Sequence, residues 1–256
     1  MLHRVEHVMG FPVSLRVDDE TVPESAADTV FGWLREVDAR FSPFKEDSEV
    51  SRYDRGELSE PSADLAGILD LCEHYRKATG GAFDVRLPGR RLDPCAVVKG
   101  WSVQRAAELL GAAGATRFVL NAGGDVVVSG GPWRVGVRHP DHADQLCTVL
   151  SLTDGAVATS ARYERGDHIL DGRTGRPATG LLSLTVVAPT LTEADSVATA
   201  AFAMGPEGID WAASLEGCEV FAVDAERRVL RSPGFPAVRD ARSGAGPTAD
   251  DVTQPV

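Results

Sequence analysis

The run FVLNAGGDVVVSGGPWRVGVRHP, residues 118–140, decides the fold class. Apolar, β-branched segments alternate with Asn-Ala-Gly-Gly at 121–124 and Ser-Gly-Gly-Pro at 129–132. The stretch therefore reads strand, turn, strand, turn, strand, in the manner of hairpins. Gly123-Gly124 lacks the three spaced glycines opening a helix that mark a dinucleotide-binding βαβ unit, so a Rossmann domain is disfavoured. Residues 146–152 and 156–160 read as further strands.

Towards the N-terminus, 5–17 reads as a strand or broken hairpin, punctuated by Gly10 and Pro12. After Pro23, Ala26, Val30, Leu34, Val37 and Phe41 form a helical stripe. FSPFKEDSEVSRYD (41–54) leaves that pattern and is expected to be a surface loop. Ser62 reads as the cap of a second helix, with Leu65, Ile68, Leu69 and Cys72 inward and Gly80-Gly81 as its end. A third helix is expected to follow Pro94 and run to about residue 110, with Val103, Ala106, Ala107 and Leu110 on one face. Towards the C-terminus, 182–188 is strand-like, 193–199 opens a helix, 208–215 is a short helix, and 218–223 and 229–231 are strands. Residues 1–242 are expected to form one domain. From about Ser243 the chain is too poor in apolar residues to pack, and 243–256 is expected to be disordered.

The 256 residues suffice for a real core. Lys and Arg number 26 against 38 Asp and Glu, a net charge of −12, which argues against nucleic acid and anionic membrane surfaces as partners. The cysteines, Cys72, Cys95, Cys147 and Cys218, lack metal-ligand spacing and are expected to be buried thiols. No apolar run has signal-peptide or transmembrane length, and a cytoplasmic location is expected.

Three places carry candidate chemistry. In EADSVAT (193–199), Asp195 and Thr199 are four apart and share a helix face, with Thr192 as the expected cap. A carboxylate and a hydroxyl one turn apart suit part of a Mg²⁺ site, which takes few protein ligands and leaves room for phosphates; a cap and a packing Thr would look the same. Lys99 falls near the start of the third helix, where a cation opposes the dipole unless an anion sits there too; a solvated Lys is the alternative. ARYERGDHILDGRTGRP (161–177) concentrates Arg162, Arg165, Arg173 and Arg176 around His168, a group that can exchange a proton near neutral pH.

Taken in order, several stretches resemble the ApbE family, the FAD:protein FMN transferases. They are Met9-Gly10, FSPFKEDSEVSR from Phe41, GGAFD from Gly80, LDPCAVVKGWSVQRAAELL from Leu92, NAGGD from Asn121, ATSARYERGDHILDGRTGRP, and VVAPTLTEADSVAT. The resemblance implies an α+β fold with mixed and antiparallel sheets, flanking helices and a flavin cleft between them. It implies FAD as substrate, Mg²⁺ as cofactor, and FMN transfer to a Ser or Thr hydroxyl of an acceptor protein, with AMP released. Met9, Phe44, Ala82, Phe83, Asp84, Asp93, Lys99 and Leu170 fall where such proteins contact the dinucleotide. Ala96, through its carbonyl, and Asp195 and Thr199 fall on metal-ligand positions.

The chain also departs from the family pattern. Ala198 stands where some members carry a further carboxylate, Phe44 where a Tyr is frequent, Cys95-Ala96 where a glycine-rich pair is usual, and Gly172 where a Pro is. A short 84–93 segment replaces a longer insertion. On this reading Lys99 and one or more of the four arginines share the phosphate charge, and His168 or Asp171 takes the acceptor proton. Hydrolysis of FAD to FMN and AMP, or FAD binding without catalysis, would use the same residues.

Overall fold

The Val-rich strands do not alternate apolar with polar, because they are buried on both faces, and a strand's side chains point alternately to each. In a computed structural model, which describes residues 1–166, 168–238 and the backbone of 254–255, the chain forms three layers. The middle layer is an antiparallel sheet of β1 (Leu2–Val8), β2 (Phe11–Val17), β3 (Phe118–Ala122), β4 (Asp125–Ser129), β7 (Gly155–Ala161), β10 (Leu181–Ala188), β11 (Glu219–Asp224) and β12 (Val229–Arg231), in that spatial order. Leu120, Val127, Ala156, Val186 and Ala222 face the helices. Their chain neighbours Val119, Val126, Val157, Val187 and Phe221 face the other way, into a second core.

That second core is closed by β5 (Trp133–Arg138) and β6 (Leu146–Leu152), which supply Trp133, Val135, Val137 and Leu150. The 118–140 stretch is thus one true hairpin, β3–β4, followed by a strand that leaves for another sheet. β5 pairs with β6 on one side and, in parallel, with β13 (Gln254–Pro255) on the other. The expectation of disorder for 243–256 otherwise lies outside the described residues.

On the other face lie α1 (Ser25–Phe41), α2 (Glu49–Asp54), α3 (Ala63–Ala78), α4 (Cys95–Ala112), α6 (Leu191–Met204) and α7 (Glu207–Ala213). The short α5 (Arg162–Arg165) and the two-residue strands β8 (Leu170–Asp171) and β9 (Arg176–Pro177) sit in the connection between β7 and β10. The expected surface loop at 41–54 is corrected in its second half. Ser48 accepts a hydrogen bond from the Ser51 amide at 3.1 Å and caps α2, whose Val50 is fully buried. Ser62 caps α3 as expected, accepting from the Leu65 amide, but Leu69 is only half-buried and Tyr75 completes the inward face.

The cap of α6 is also corrected, from Thr192 to Thr190, whose hydroxyl accepts from the Glu193 amide. Asp195 then stands in the second turn, too deep for the end of the dipole to explain it. None of the four cysteines is in a disulfide; Cys72 and Cys218 are buried, while Cys95 and Cys147 are half-buried. Among the described residues, no helix is long and apolar enough to cross a membrane.

Candidate active site

A cavity of about 440 Å³ opens where α4 and α6 meet the ends of β2 and β7 and the 159–170 connection. Its position follows from small residues. A Cβ on Gly100 would come within 2.5 Å of the Leu191 carbonyl oxygen and 2.8 Å of Asp195 Cβ, so only Gly lets α4 approach α6 this closely. At that crossing the Gly100 amide donates to Asp195 Oδ2 at 2.8 Å. In an α-helix the same N–H points at the carbonyl four residues back, which is Ala96. The Asp195 carboxylate and the Ala96 carbonyl are therefore gathered around one donor. Thr199 lies one turn beyond Asp195, its hydroxyl 3.2 Å from Ser160 Oγ on β7. Asp195 is 7% exposed, and Asp195, Thr199, Ser160 and Ala96 all line the cavity.

The β1–β2 hairpin turns on Met9 (φ 57°) and Gly10 (φ 85°), both in the left-handed region, as a tight two-residue turn requires. Such a conformation is costly for Met. Here it sets the side chain in the cavity wall, with its sulfur accepting from Ser102 Oγ at 3.8 Å. Phe44, Phe83, Asp84, Asp93, Lys99, His168 and Leu170 join that wall. Ala82 does not; it is buried, and its carbonyl accepts from the Gly172 amide at 2.8 Å, which ties the 79–85 turn to the 170–177 hairpin. Asp171 also stays out of the lining. Burial pushes its carboxyl up, but bonds from the Arg173 side chain and amide outweigh this and hold it below the ordinary aspartate range.

The cavity lining bears on the four arginines unequally. Arg173 is taken by Asp171 and Glu207, and neither it nor Arg162 nor Arg176 lines the cavity; the side chain of Arg165 lies outside those described. Arg90 and Arg91, in the short segment between Asp84 and Asp93, do line the cavity, at its mouth. Arg91 stacks 5.0 Å from the ring centroid of Phe44, a side chain 66% exposed, and donates to the Pro43 carbonyl at 2.8 Å. Lys99 also has an anion beside it within the protein, Asp125, at 2.7 Å. The missed residues are thus Asp125, Ser160, Arg90 and Arg91. NAGGD and ATSARY carried the first two as motifs, but nothing in their spacing paired Asp125 with Lys99 or Ser160 with Thr199.

His168 is exposed at the cavity. Its Nδ1 lies 3.0 Å from the Gly166 carbonyl, which can only accept, so Nδ1 carries the proton and Nε2 is left as acceptor.

This chain is similar to proteins of one kind. The Escherichia coli (strain K12) FAD:protein FMN transferase is 30% identical over 155 residues, 55% of this chain and 44% of that protein. The Treponema pallidum protein of the same name is 30% identical over 215 residues, 72% of this chain and 59% of that protein. The chain thus spans about half the length of these relatives. Among solved structures, the Vibrio cholerae flavin transferase ApbE superposes with a TM-score of 0.82 over 93% of this chain and 99% of that one, at 21% identity. The Thermotoga maritima ApbE protein does so at 0.80 over 91% and 97%, at 23% identity. These two likenesses show a common α+β fold. The ApbE family model matches residues 9–90 and 85–222, which is most of the sequence, and the chain belongs to the ApbE family.

Proposed function

We propose that this chain transfers FMN from FAD to a Ser or Thr hydroxyl of an acceptor protein, with AMP as the leaving group. The observation that carries this reading is a single cavity lined by Met9, Phe44, Phe83, Asp84, Asp93, Ala96, Lys99, Leu170, Asp195 and Thr199, residues drawn from separate parts of the chain. Its size is that of a small-molecule site. The names of the relatives point the same way.

The donors at the α4–α6 crossing fit Mg²⁺. Asp195, Thr199 and the Ala96 carbonyl offer hard oxygens only. Among the described residues no group of three or more His, Cys, Asp or Glu could hold a metal, so this set would need further oxygens, from water and phosphate, to complete a shell. Bound there, Mg²⁺ would neutralise charge on the pyrophosphate and on the departing AMP.

The chain's own residues do the rest. Lys99 presents its ammonium in the cavity wall, and Arg90 and Arg91 hold positive charge at the mouth. The acceptor oxygen bonds to the flavin-side phosphorus, the bond from that phosphorus to the bridging oxygen breaks, and AMP departs with that oxygen. The proton of the acceptor goes to His168 Nε2. His168 lines the cavity, whereas Asp171 is held by Arg173.

Incubation with FAD, Mg²⁺ and cell extract tests the reading. A newly fluorescent protein band together with AMP is the expected result. AMP with free FMN and no labelled protein would make the chain a hydrolase, and bound FAD with no AMP would make it a flavin-binding protein.

A further inference from the structure

Asp125, the first residue of β4, is 2% exposed. Its Oδ2 lies 2.7 Å from Lys99 Nζ, and its Oδ1 accepts from the Thr159 amide at 3.2 Å. That amide lies past the last β4–β7 ladder pair, Val126↔Val157, so the carboxylate stands in for a missing ladder acceptor. The next residue, Ser160, braces the Thr199 hydroxyl. The Lys99 ammonium also sits 5.2 Å from the centroid of the Phe11 ring, a cation–π distance. That ring rests on Gly123 (φ 59°), where a Cβ would come within 2.9 Å of Phe11 Cγ. One buried carboxylate thus joins α4 and β7, both at the cavity wall, to the 121–125 turn. A buried charge is costly unless paired and hydrogen-bonded, and this one is paired with Lys99 and bonded by the Thr159 amide, two residues that line the cavity.

We propose that Asp125 is a positioning residue: it holds the Lys99 ammonium against Phe11, aimed at the part of the cavity beside Asp195 and Thr199 where a pyrophosphate binds. The chemical role rests on the proposed function; the coupling of Asp125 to bound dinucleotide through Lys99 does not. In the empty cavity the pair is close to neutral, so Asp125 supplies direction rather than net attraction. Removing its charge makes the cavity more positive by one unit. Anionic FAD is then held at least as tightly, while the ammonium loses the carboxylate that directs it. A misplacement of about 1 Å costs on the order of 10²-fold in rate.

The test uses Asp125→Asn, Lys99→Met and the double variant, with FAD affinity from flavin fluorescence, AMP release with Mg²⁺, and phosphorus-31 spectra of bound FAD without Mg²⁺. Asp125→Asn is expected to lower turnover about 10²-fold with FAD affinity retained or tightened. It should also shift the pyrophosphate resonances of bound FAD. In the Lys99→Met background it should change neither turnover nor those resonances. Loss of FAD affinity in parallel with turnover, or equal effects in both backgrounds, overturns the proposal. If the wild-type chain neither releases AMP nor labels protein, the function reading fails, while the phosphorus-31 comparison still decides this one. A wild-type chain that binds no FAD ends both. Should Asp125→Asn not fold, Lys99→Arg keeps the ion pair but displaces the charge. Lowered turnover with FAD affinity kept is expected there, and wild-type turnover refutes the idea.

Discussion

Gly100→Ala is the sharpest probe of how the site is built. An added methyl would lie about 0.9 Å inside the 3.4 Å limit of ordinary contact with the Leu191 carbonyl, and about 0.6 Å inside it with Asp195 Cβ. Both neighbours are on α6, and neither is the far end of a flexible chain, so α6 must retreat from α4. Overpacking of this kind costs roughly 1–3 kcal/mol. Ala in place of Gly inside a helix returns about 1 kcal/mol. Placing the clash at the upper end, because backbone is involved, gives a net loss of about 2 kcal/mol by the same figures. The functional loss is larger, because the shift opens the Gly100–Asp195 hydrogen bond and parts the Ala96 carbonyl from Asp195. A displacement approaching 1 Å is worth on the order of 10²-fold in turnover. Urea unfolding and AMP release measure the two effects. Gly111→Ala, in the same helix with nothing within 4 Å of its added carbon, is the control and should lose neither stability nor activity. If Gly100→Ala matches that control on both counts, the close crossing does not set the geometry of the site.

Asp195→Ala should reduce AMP release at saturating FAD and Mg²⁺ by at least about 10²-fold, far more than it weakens FAD binding; equal turnover would remove Asp195 from the proposed metal site. Burial pushes the Cys72 and Cys218 thiols up to about 12, so at pH 8 a thiol reagent should reach them only after unfolding. Cys95 lines the cavity and should react in the native protein, with FAD protecting it; labelling unaffected by saturating FAD would place the dinucleotide elsewhere. The Asp171 carboxyl is held below its ordinary range when folded. Its stabilisation is therefore full above the unfolded value of about 3.9 and lost as pH falls through the lower folded one. The difference in urea midpoint between wild type and Asp171→Asn should be present at pH 7 and close in strong acid; a gap that persists there would contradict the assignment.

Much of the fold was legible because it rests on local signals. The Val runs marked strands, Ser62 marked a helix start, and the stripe from Ala26 to Phe41 marked a buried helix face, all visible within a few residues. Two local readings failed where tertiary contacts outweigh local signals. Residues 49–54 form a helix because Ser48 caps them and Val50 finds a buried place, and the cap of α6 lies two residues earlier than Thr192, at Thr190. The face of a strand that meets a second sheet also has no local mark. Apolar residues on both sides say that β3, β4 and β7 are covered twice, but not that β5 and β6 supply the second cover.

For the site, the sequence by itself determined which residue types were available: an Asp and a Thr one turn apart, a Lys in a helix, a His among charges, and the ordered motifs that mark the family. Only the tertiary structure decided which of them meet. Ala82 and Asp171 fall outside the cavity, Arg90 and Arg91 line it where Arg162, Arg173 and Arg176 do not, and Asp125 claims Lys99 from a strand 26 residues further on. The physical reason is that helix spacing fixes neighbours only within one element. Ion pairs between elements depend on how closely those elements pack, and at this site that closeness turns on a missing Cβ at Gly100.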